Sequence, residues 1–270
     1  TVGISAVDAE ESNDYFMTVT DYLTPTSLLL GTVGTAPEKL KQLPGFFDAS
    51  QHEISQQFAT SKDGTRVPYF MVSKKNRVRN GKNPTLLYGY GGFEVSLTPN
   101  YSAGVGRSWL SQGGVYVVAN IRGGGEYGPR WHQAALKADR NKAYEDFAAV
   151  AEDLIAQKIT SPAHLAISGR SNGGLLVGAT LLQRPDLFAA ALPAVGVLDM
   201  LRFHLFTIGW AWQSDYGNID NEAEFRALLA YSPYHTLVSG TSYPATLVTT
   251  SDHDDRVVPA HSFKYVAALQ

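Results

Sequence analysis

The chain has 270 residues, of which 44% are hydrophobic, so it can bury the core of one α/β domain together with an appendage. Its net charge of −3 and its pI of about 6.1 argue against a surface for polyanions, so we expect no nucleic-acid partner. The sequence contains no cysteine, which excludes disulfides, thiolate metal sites and a cysteine nucleophile.

The N-terminal part of the chain has a β pattern. Short β-rich runs over 15–19 and 27–30, separated by turn residues, predict two or three strands within residues 1–34. So few strands do not form a stable unit alone, and we interpret this segment as the incomplete end of a β domain. The mixed polar sequence of residues 35–64 predicts a linker that leads into the next domain and ends in a turn at 62–65.

From residue 65 onward, strand and helix patterns alternate along the chain. The predicted strands lie at 67–72, 85–88, 115–119, 165–167, 189–195 and 245–250. The predicted helices lie at 144–157, after residue 171, and at 222–230. Right-handed crossovers join such elements into a mostly parallel sheet covered by helices, so residues 65–270 are predicted to be an α/β domain. The chain stops within a helical pattern, and we expect this domain to be incomplete at its C-terminal end.

The most specific motif is a G-x-S-x-G pentapeptide at residues 169–173. An apolar run precedes it and an apolar helical pattern follows it, which predicts a strand, a sharp turn and a helix. A serine on such a turn has its hydroxyl lifted clear of the sheet, so Ser171 is a candidate nucleophile. The backbone N–H of Asn172 at the helix start is then a candidate donor to an oxyanion.

A serine nucleophile also needs a base and an acid that orients the base. Asp254 is the candidate acid because it follows the predicted strand at 245–250 by a short loop, where strand ends present functional groups. Spacing alone does not distinguish Asp254 from Asp255. A solvated acidic turn without a catalytic role is the other alternative. A metal site in this loop is disfavoured because adjacent side chains diverge, so we predict no metal.

No histidine stands at a suitable place after the acid. His261 follows Asp254 by only seven residues and lies in the next helical pattern. The earlier histidines are simpler to interpret as surface or partly satisfied side chains, namely His52, His132, His164, His204 and His235. The expected base is therefore absent from the chain: either the catalytic histidine lies beyond residue 270, or the chain has almost no turnover.

Residues 123–128 match the pattern G-x-G-x-x-G, which occurs in dinucleotide-binding sites. The glycines begin several residues past the strand, and the acidic residue about twenty positions further on, Asp146, falls in a helical pattern instead of at a strand end. A tight turn near the active site is the favoured interpretation. We predict no organic cofactor.

Four segments together, at 88–93, 120–128, 169–174 and 252–259, resemble the prolyl oligopeptidase family in the same order along the chain. The resemblance covers about residues 40–270 and implies that they are most of a catalytic domain with the α/β-hydrolase fold. It also implies that residues 1–34 are a remnant of that family's β-propeller, the end of its last blade.

The resemblance implies a role for each matching residue. Ser171 matches the nucleophile and Asp254 the triad acid, while Asn172 and Tyr90 match the oxyanion donors. The matching substrate-binding positions are Trp212, Tyr216, Phe93, Arg256, Val197 and Val257. Plain core packing remains open for the aromatic residues, and an ion pair with Asp255 or Asp215 remains open for Arg256.

These inferences predict a serine endopeptidase that hydrolyses short peptides on the carboxyl side of proline through an acyl-enzyme. The alternatives are an esterase, an oligopeptidase specific for basic residues, or a non-catalytic scaffold if no histidine follows residue 270. No stretch approaches 18 uninterrupted apolar residues, so we expect a soluble protein without a membrane partner. We also expect a monomer. Both the cytoplasm and the periplasm stay open as compartments.

Overall fold

The structure is a computed structural model, and it describes all 270 residues. The chain divides into two compact units. The first contains Thr1–Ser55, Val72–Arg77 and Thr98–Tyr116. The second contains Gln56–Met71, Val78–Leu97 and Val117–Gln270.

The first unit begins with a four-stranded antiparallel sheet. Its strands follow one another in space as they do in sequence: β1 (Val2–Ala6), β2 (Asp14–Val19), β3 (Ser27–Thr32) and β4 (Glu38–Gln42). The predicted strands at 15–19 and 27–30 are present as β2 and β3. The first and last strands are exposed along their whole length, so this sheet has no buried core of its own.

Local hydrogen bonds turn the chain between these strands. Asp8 accepts two backbone N–H groups through Oδ1 between β1 and β2, and Asp21 does the same between β2 and β3. Such Asx turns reverse the chain without help from distant residues. Gly34, with a φ of 92°, serves the turn between β3 and β4.

A seven-stranded sheet has the order β11-β10-β9-β7-β8-β6-β5. Its strands are β5 (His52–Thr60), β6 (Arg66–Lys74), β7 (Thr85–Gly89), β8 (Val115–Ala119), β9 (Leu165–Arg170), β10 (Ala190–Ala194) and β11 (Ala245–Thr246). Strands β7, β9, β10 and β11 pair in parallel. The predicted strand at 245–250 is shorter than expected, because only β11 and an isolated bridge at Thr249 pair with β10.

Residues 35–64, predicted as a linker, instead contain β4 and β5. Strand β4 carries lysine and glutamate and is exposed on both faces, so it lacks the apolar alternation that marks a half-buried strand. Strand β5 buries only its two end regions, at His52 and Ala59. The hydrogen-bonded neighbours, and not the hydrophobic pattern, therefore determine these two strands.

The helices are α1 (Ala103–Ser108), α2 (Pro129–Gln133), α3 (Asn141–Ala156), α4 (Asn172–Gln183), α5 (Gln213–Tyr216), α6 (Glu222–Tyr231), α7 (Pro233–Thr236) and α8 (Ala260–Leu269). The helices predicted at 144–157 and 222–230 are α3 and α6. Every residue of α4 from Asn172 to Leu181 is buried, because this helix packs on both β9 and β10. None of the helices combines the length and the apolar character that a membrane crossing requires.

Candidate active site

Ser171 lies at the sharp turn between β9 and α4, as the pentapeptide predicts. Its backbone has φ 58° and ψ −117°, a conformation that residues other than glycine rarely adopt. A Cβ at position 169 would lie 2.2 Å from the carbonyl oxygen of Gly173, and a Cβ at position 173 would lie 2.6 Å from that of Gly89. The turn thus requires glycine on both sides of the serine, whose side chain remains half-buried and reachable.

Asn172 is the first residue of α4, and its backbone N–H has no acceptor within the helix. Its side chain is buried and fully engaged. The amide Nδ2 donates to the carbonyl oxygen of Tyr90 at 2.6 Å, while Oδ1 accepts from the hydroxyl of Tyr216 at 2.9 Å and from Nη2 of Arg140. Asn172 therefore ties the turn at Ser171 to the loop that follows β7.

Tyr90 is the first residue after β7, and its side chain lines the same cavity as Ser171. Burial raises the pKa of the Tyr90 phenol above its ordinary value of 10. The phenol is therefore neutral at pH 7 and able to donate a hydrogen bond. The phenol of Tyr90 and the N–H of Asn172 are therefore the two candidate donors to an oxyanion at this site.

The cavity beside Ser171 has a volume of about 260 Å³. Phe93 and Tyr216 meet edge to face in its wall, with ring centroids 5.4 Å apart. Ser171 and six other residues predicted from the sequence line it, together with three residues that were not predicted. The complete lining is Tyr90, Phe93, Val95, Ser171, Val197, Ala211, Trp212, Ser214, Tyr216 and Arg256.

Val257 is buried but is not part of this lining, so the structure does not bring it into the cavity. Of the three lining residues that sequence reasoning missed, Ala211 and Ser214 flank Trp212 in the same helical segment, and their proximity to that residue was the available signal. Val95 follows two residues with positive φ, an irregular path that no sequence pattern announced.

The sequence left open an ion pair between Asp215 and Arg256, and the structure does not contain it. The Oδ2 of Asp215 accepts from the backbone N–H of Phe93 at 2.7 Å, and its Oδ1 lies 2.8 Å from Nε2 of His132. Arg140 lies 3.5 Å away on the other side. Arg256 itself forms no ion pair, is exposed, and borders the cavity with its guanidinium available.

The loop at residues 252–257, here called the acid loop, separates its two candidate acids. Asp254 is half-buried, and its Oδ1 accepts the backbone N–H groups of Arg256 and Val257, both at 3.0 Å. Asp255 is exposed and makes no such bond. The structure thus holds Asp254 in place and leaves its Oδ2 without a hydrogen bond, which favours Asp254 as the acid.

Backbone hydrogen bonds connect the acid loop's strand with the serine turn. Ser171 N donates to the carbonyl oxygen of Ala194 at 2.9 Å, and Thr249, across from Ala194, accepts from Val195 N at 2.7 Å. Because adjacent strands lie about 4.8 Å apart, β9 and β11 are separated by roughly 10 Å. Ser171 and the acid loop thus follow the carboxyl ends of strands two places apart in the sheet.

None of the seven histidines forms a hydrogen bond with Ser171 or Asp254. His253 is 90% exposed and pairs with Asp252. His261 is buried, and its Nδ1 accepts from the backbone N–H of Asp199 at 3.1 Å. Burial lowers the pKa of His261 to about 4, so it is neutral at pH 7. The location of the catalytic base stays a prediction.

The glycine-rich segment at 123–128 forms a tight turn. Gly123 has a φ of 93°, and a Cβ there would lie 2.3 Å from the carbonyl oxygen of Gly91. This close backbone approach explains the glycine at position 123 and places the turn against the loop that carries Tyr90. No group of three or more His, Asp and Glu side chains is arranged to hold a metal ion.

Comparison with known proteins gives consistent matches along the chain. The model of the prolyl oligopeptidase family matches residues 101–270. A prolyl endopeptidase of Elizabethkingia meningoseptica is 49% identical over 259 residues, which cover 95% of this chain and 37% of that protein. An uncharacterized peptidase of Sinorhizobium fredii is 46% identical over 271 residues, covering 100% of this chain and 37% of that protein.

Solved structures agree with these matches. A prolyl endopeptidase structure superimposes with a TM-score of 0.95 at 45% identity, covering 99% of this chain and 40% of that one. Oligopeptidase B from Leishmania major superimposes with a TM-score of 0.91 at 30% identity, covering 99% of this chain and 38% of that one. The similarity confirms the α/β-hydrolase fold. The chain spans about two fifths of the length of these proteins.

Proposed function

Because the chain belongs to the prolyl oligopeptidase family, we propose that it carries the nucleophile, the oxyanion donors and the specificity pocket of a serine endopeptidase that cleaves short peptides after proline. One observation supports this most directly. The strained Ser171 and the phenol of Tyr90 border one small cavity, which has aromatic walls. Nucleophile, oxyanion donors and a pocket for a ring are thus adjacent.

In the proposed reaction, Ser171 Oγ attacks the carbonyl carbon of the prolyl residue and gives its proton to the base. The N–H of Asn172 and the O–H of Tyr90 bind the oxyanion of the tetrahedral intermediate. The C–N bond then breaks, the leaving amine takes the proton from the base, and an acyl-enzyme on Ser171 remains. A water molecule, deprotonated by the same base, hydrolyses that ester and regenerates the serine.

Asp254 orients the base in this proposal and stabilises its positive charge. We expect the base to be a histidine beyond Gln270 in the full-length protein. Two observations support this: no histidine of the chain reaches Ser171, and the chain spans two fifths of the length of its relatives. A full-length protein without such a histidine would instead be a non-catalytic scaffold.

The pocket chemistry favours proline. A cavity of about 260 Å³ with Phe93, Trp212 and Tyr216 in its lining suits one small ring. Proline has no N–H, so its imide nitrogen needs no acceptor in an apolar slot. The exposed guanidinium of Arg256 at the cavity border is positioned to donate to a carbonyl of the substrate backbone.

Specificity for basic residues is the second candidate, because the Leishmania major oligopeptidase B shares the fold. A basic side chain needs a free carboxylate in the pocket. No residue of the cavity lining is an acid, and Asp215, which lies between the lining residues Ser214 and Tyr216, is already bound to Phe93 N–H and His132 and is 3% exposed. The pocket therefore favours the prolyl assignment.

The test is turnover of matched chromogenic substrates with proline, alanine or arginine before the scissile bond, and of a simple ester, by the full-length protein. Prolyl turnover should dominate. Trp212→Ala should lower kcat/KM for the prolyl substrate by roughly 10- to 200-fold, the range for a hydrophobic specificity contact, and affect the alanyl substrate less. Trp210→Ala is the matched control, since Trp210 is 63% exposed and lies outside the cavity lining. Equal losses on both substrates would refute the pocket assignment.

A further inference from the structure

Arg140 is a completely buried arginine for which the proposed reaction has no use. It lies immediately before α3, and its relative exposure is 0%. Burying a guanidinium is unfavourable unless its charge is compensated and its N–H groups find acceptors. The contacts of Arg140 therefore show what the protein gains from it.

The closest of these contacts is with Asn172, one of the proposed oxyanion donors. Nη2 of Arg140 donates to Oδ1 of Asn172 at 2.5 Å, whereas Nη1 lies 3.5 Å from both the carbonyl oxygen of Ala135 and Oδ2 of Asp215. An ordinary buried ion pair would place its shortest bond on the carboxylate. Here the shortest bond is to an uncharged amide in the serine turn.

The surroundings of Arg140 concentrate its charge on few partners. Burial raises the pKa of Tyr144 to about 12, and it raises the pKa values of Tyr216 and Tyr231 well above 10, so all three phenols are neutral at pH 7. Asp215 is the one carboxylate within ion-pair distance of the guanidinium. Arg140 and Asp215 thus form a pair of opposite charges in the protein interior, and His132 is the other side-chain partner of Asp215.

This pair contacts both ends of the loop that carries Tyr90. At one end, Asn172, held by Arg140, donates from Nδ2 to the carbonyl oxygen of Tyr90 at 2.6 Å. At the other end, Asp215 accepts from the N–H of Phe93 at 2.7 Å. Between them, a Cβ at position 92 would lie 2.5 Å from Nδ2 of Asn172 and 2.8 Å from Nη2 of Arg140. The loop rests directly on the pair.

The guanidinium also determines which way the amide of Asn172 points. Arginine has donors and no acceptor, so the atom of Asn172 that faces it must be the oxygen. The hydroxyl of Tyr216 donates to the same oxygen at 2.9 Å. The amide nitrogen is consequently turned toward the carbonyl oxygen of Tyr90, so the backbone of Tyr90 is held against the residue that follows Ser171.

We infer that Arg140, with Asp215, is a positioning residue that holds the two oxyanion donors, Asn172 and Tyr90, in register beside Ser171. This inference rests on the proposed function. It differs from a purely structural role in one respect. A structural ion pair affects stability, whereas a positioning residue affects binding of the tetrahedral state more than binding of the ground state.

The experiment compares the full-length wild type with Arg140→Met, Arg140→Lys and the double variant Arg140→Met/Asp215→Asn. It measures kcat and KM on a prolyl substrate and inhibition by a peptidyl prolinal, an aldehyde that forms a tetrahedral adduct with the serine. The corresponding prolinol, an alcohol that forms no adduct, reports ground-state binding. Arg184→Met is the matched control, because Arg184 pairs with Glu152 and Asp186 at the surface.

Arg140→Met should lower kcat by about 10- to 100-fold, less than the roughly 10²- to 10³-fold effect of deleting an oxyanion donor, and should change KM little. Affinity for the aldehyde should fall by the same factor, while affinity for the alcohol should stay the same. Arg140→Lys should recover part of the loss, since an ammonium can still donate to Oδ1 of Asn172. Arg184→Met should match the wild type.

Wild-type kcat and aldehyde affinity in Arg140→Met would overturn the inference, and so would equal losses of aldehyde and alcohol affinity. Should that variant fail to fold, the double variant removes both buried charges, and its kcat and aldehyde affinity decide the question in the same way. The rate at which a fluorophosphonate labels Ser171 is the independent readout. A labelled wild type that does not cleave the prolyl substrate refutes the proposed specificity, while slower labelling of Arg140→Met still supports the positioning role.

Discussion

Ser171 and Asp254 follow strands that lie two places apart in one sheet, yet the protein holds them in different ways. The turn at Ser171, here called the nucleophile elbow (residues 169–174), is enclosed by buried groups, and Asn172 beside it is hydrogen-bonded on every side-chain polar atom. The acid loop is mostly exposed, and Asp254 is held only by backbone N–H groups of its own loop.

This difference separates two kinds of preorganisation. Core packing determines the elbow and the proposed oxyanion donors, so these groups are in place before a substrate arrives. The acid loop has its backbone determined locally, and the Oδ2 of Asp254 is free to accept from another group. Both proposed oxyanion donors thus belong to this chain, whereas the proposed acid needs a base to orient. The following predictions test that division, beginning with the largest effect.

Ser171→Ala should lower turnover of the full-length protein by roughly 10⁶-fold, because the nucleophile is lost while the elbow's contacts remain. Labelling by a fluorophosphonate probe should disappear as well. Ser111→Ala, a change at an exposed serine, is the control and should retain both activities. Labelling of Ser171→Ala at any other serine would contradict the assignment of the elbow.

Asp254→Asn should lower kcat by roughly 10⁴-fold, because an amide cannot stabilise the imidazolium of the base as a carboxylate does. Asp255→Asn is the matched control one residue away. It should change kcat by less than about threefold, since Asp255 is exposed and holds no part of the loop. The reverse ranking of the two variants would transfer the acid role to Asp255.

His261 lies in α8, shortly after the acid loop, and its Nδ1 accepts a hydrogen bond from the backbone N–H of Asp199. Its pKa is about 4 in the folded protein and 6.5 in the unfolded chain, so the unfolded state binds the proton first. Its neutral form therefore contributes full stability above about pH 6.5, and this contribution falls progressively by about 3 kcal/mol as the pH drops to 4.

His261→Asn should remove this dependence, because an asparagine oxygen can accept from Asp199 N–H without titrating. The measurement is the free energy of unfolding by urea at pH 7.5 and at pH 5, and the difference between the two should shrink. His164→Asn, at an exposed histidine, should preserve the wild-type difference. An unchanged pH dependence in His261→Asn would show that titration of this residue does not lower the free energy of unfolding in acid.

Gly173→Ala should destabilise the elbow by about 1 to 3 kcal/mol, because the new methyl group would overlap the carbonyl oxygen of Gly89. Gly104→Ala is a matched change in another helix. Gly104 is exposed, and the added Cβ would meet only Ser102 at 4.0 Å, so this variant should be neutral or slightly stabilised. The thermal midpoints of the two variants give the comparison, and a Gly173→Ala protein as stable as Gly104→Ala would contradict a tightly packed elbow.

The elbow could be predicted from the sequence because its determinants are local. Strand, serine turn and helix follow one another within a few residues, and the glycines are required by backbone approaches that the pentapeptide itself reveals. The same holds for strands β2 and β3, because Asp21 makes the turn between them. Strand β4 escaped prediction because pairing, and not an apolar face, determines it.

Other features depended on residues that are distant in sequence. The choice of Asp254 over Asp255 required the loop's hydrogen bonds, since spacing treats the two alike. Arg140 carried no signal, because a charged residue before a helix ordinarily lies in solvent. Arg140 precedes Asn172 by 32 positions, and only the fold brings the two residues to hydrogen-bonding distance.

The sequence alone determined the alternation of strands and helices after residue 65, the serine turn and the family resemblance, because each is encoded in short segments whose backbone geometry permits few residues. The tertiary structure decided which aspartate is held, which side chains line the cavity, and how a buried charge reaches the oxyanion donors. The reason is that burial and charge compensation depend on atoms brought together by the whole fold, and no local pattern records them.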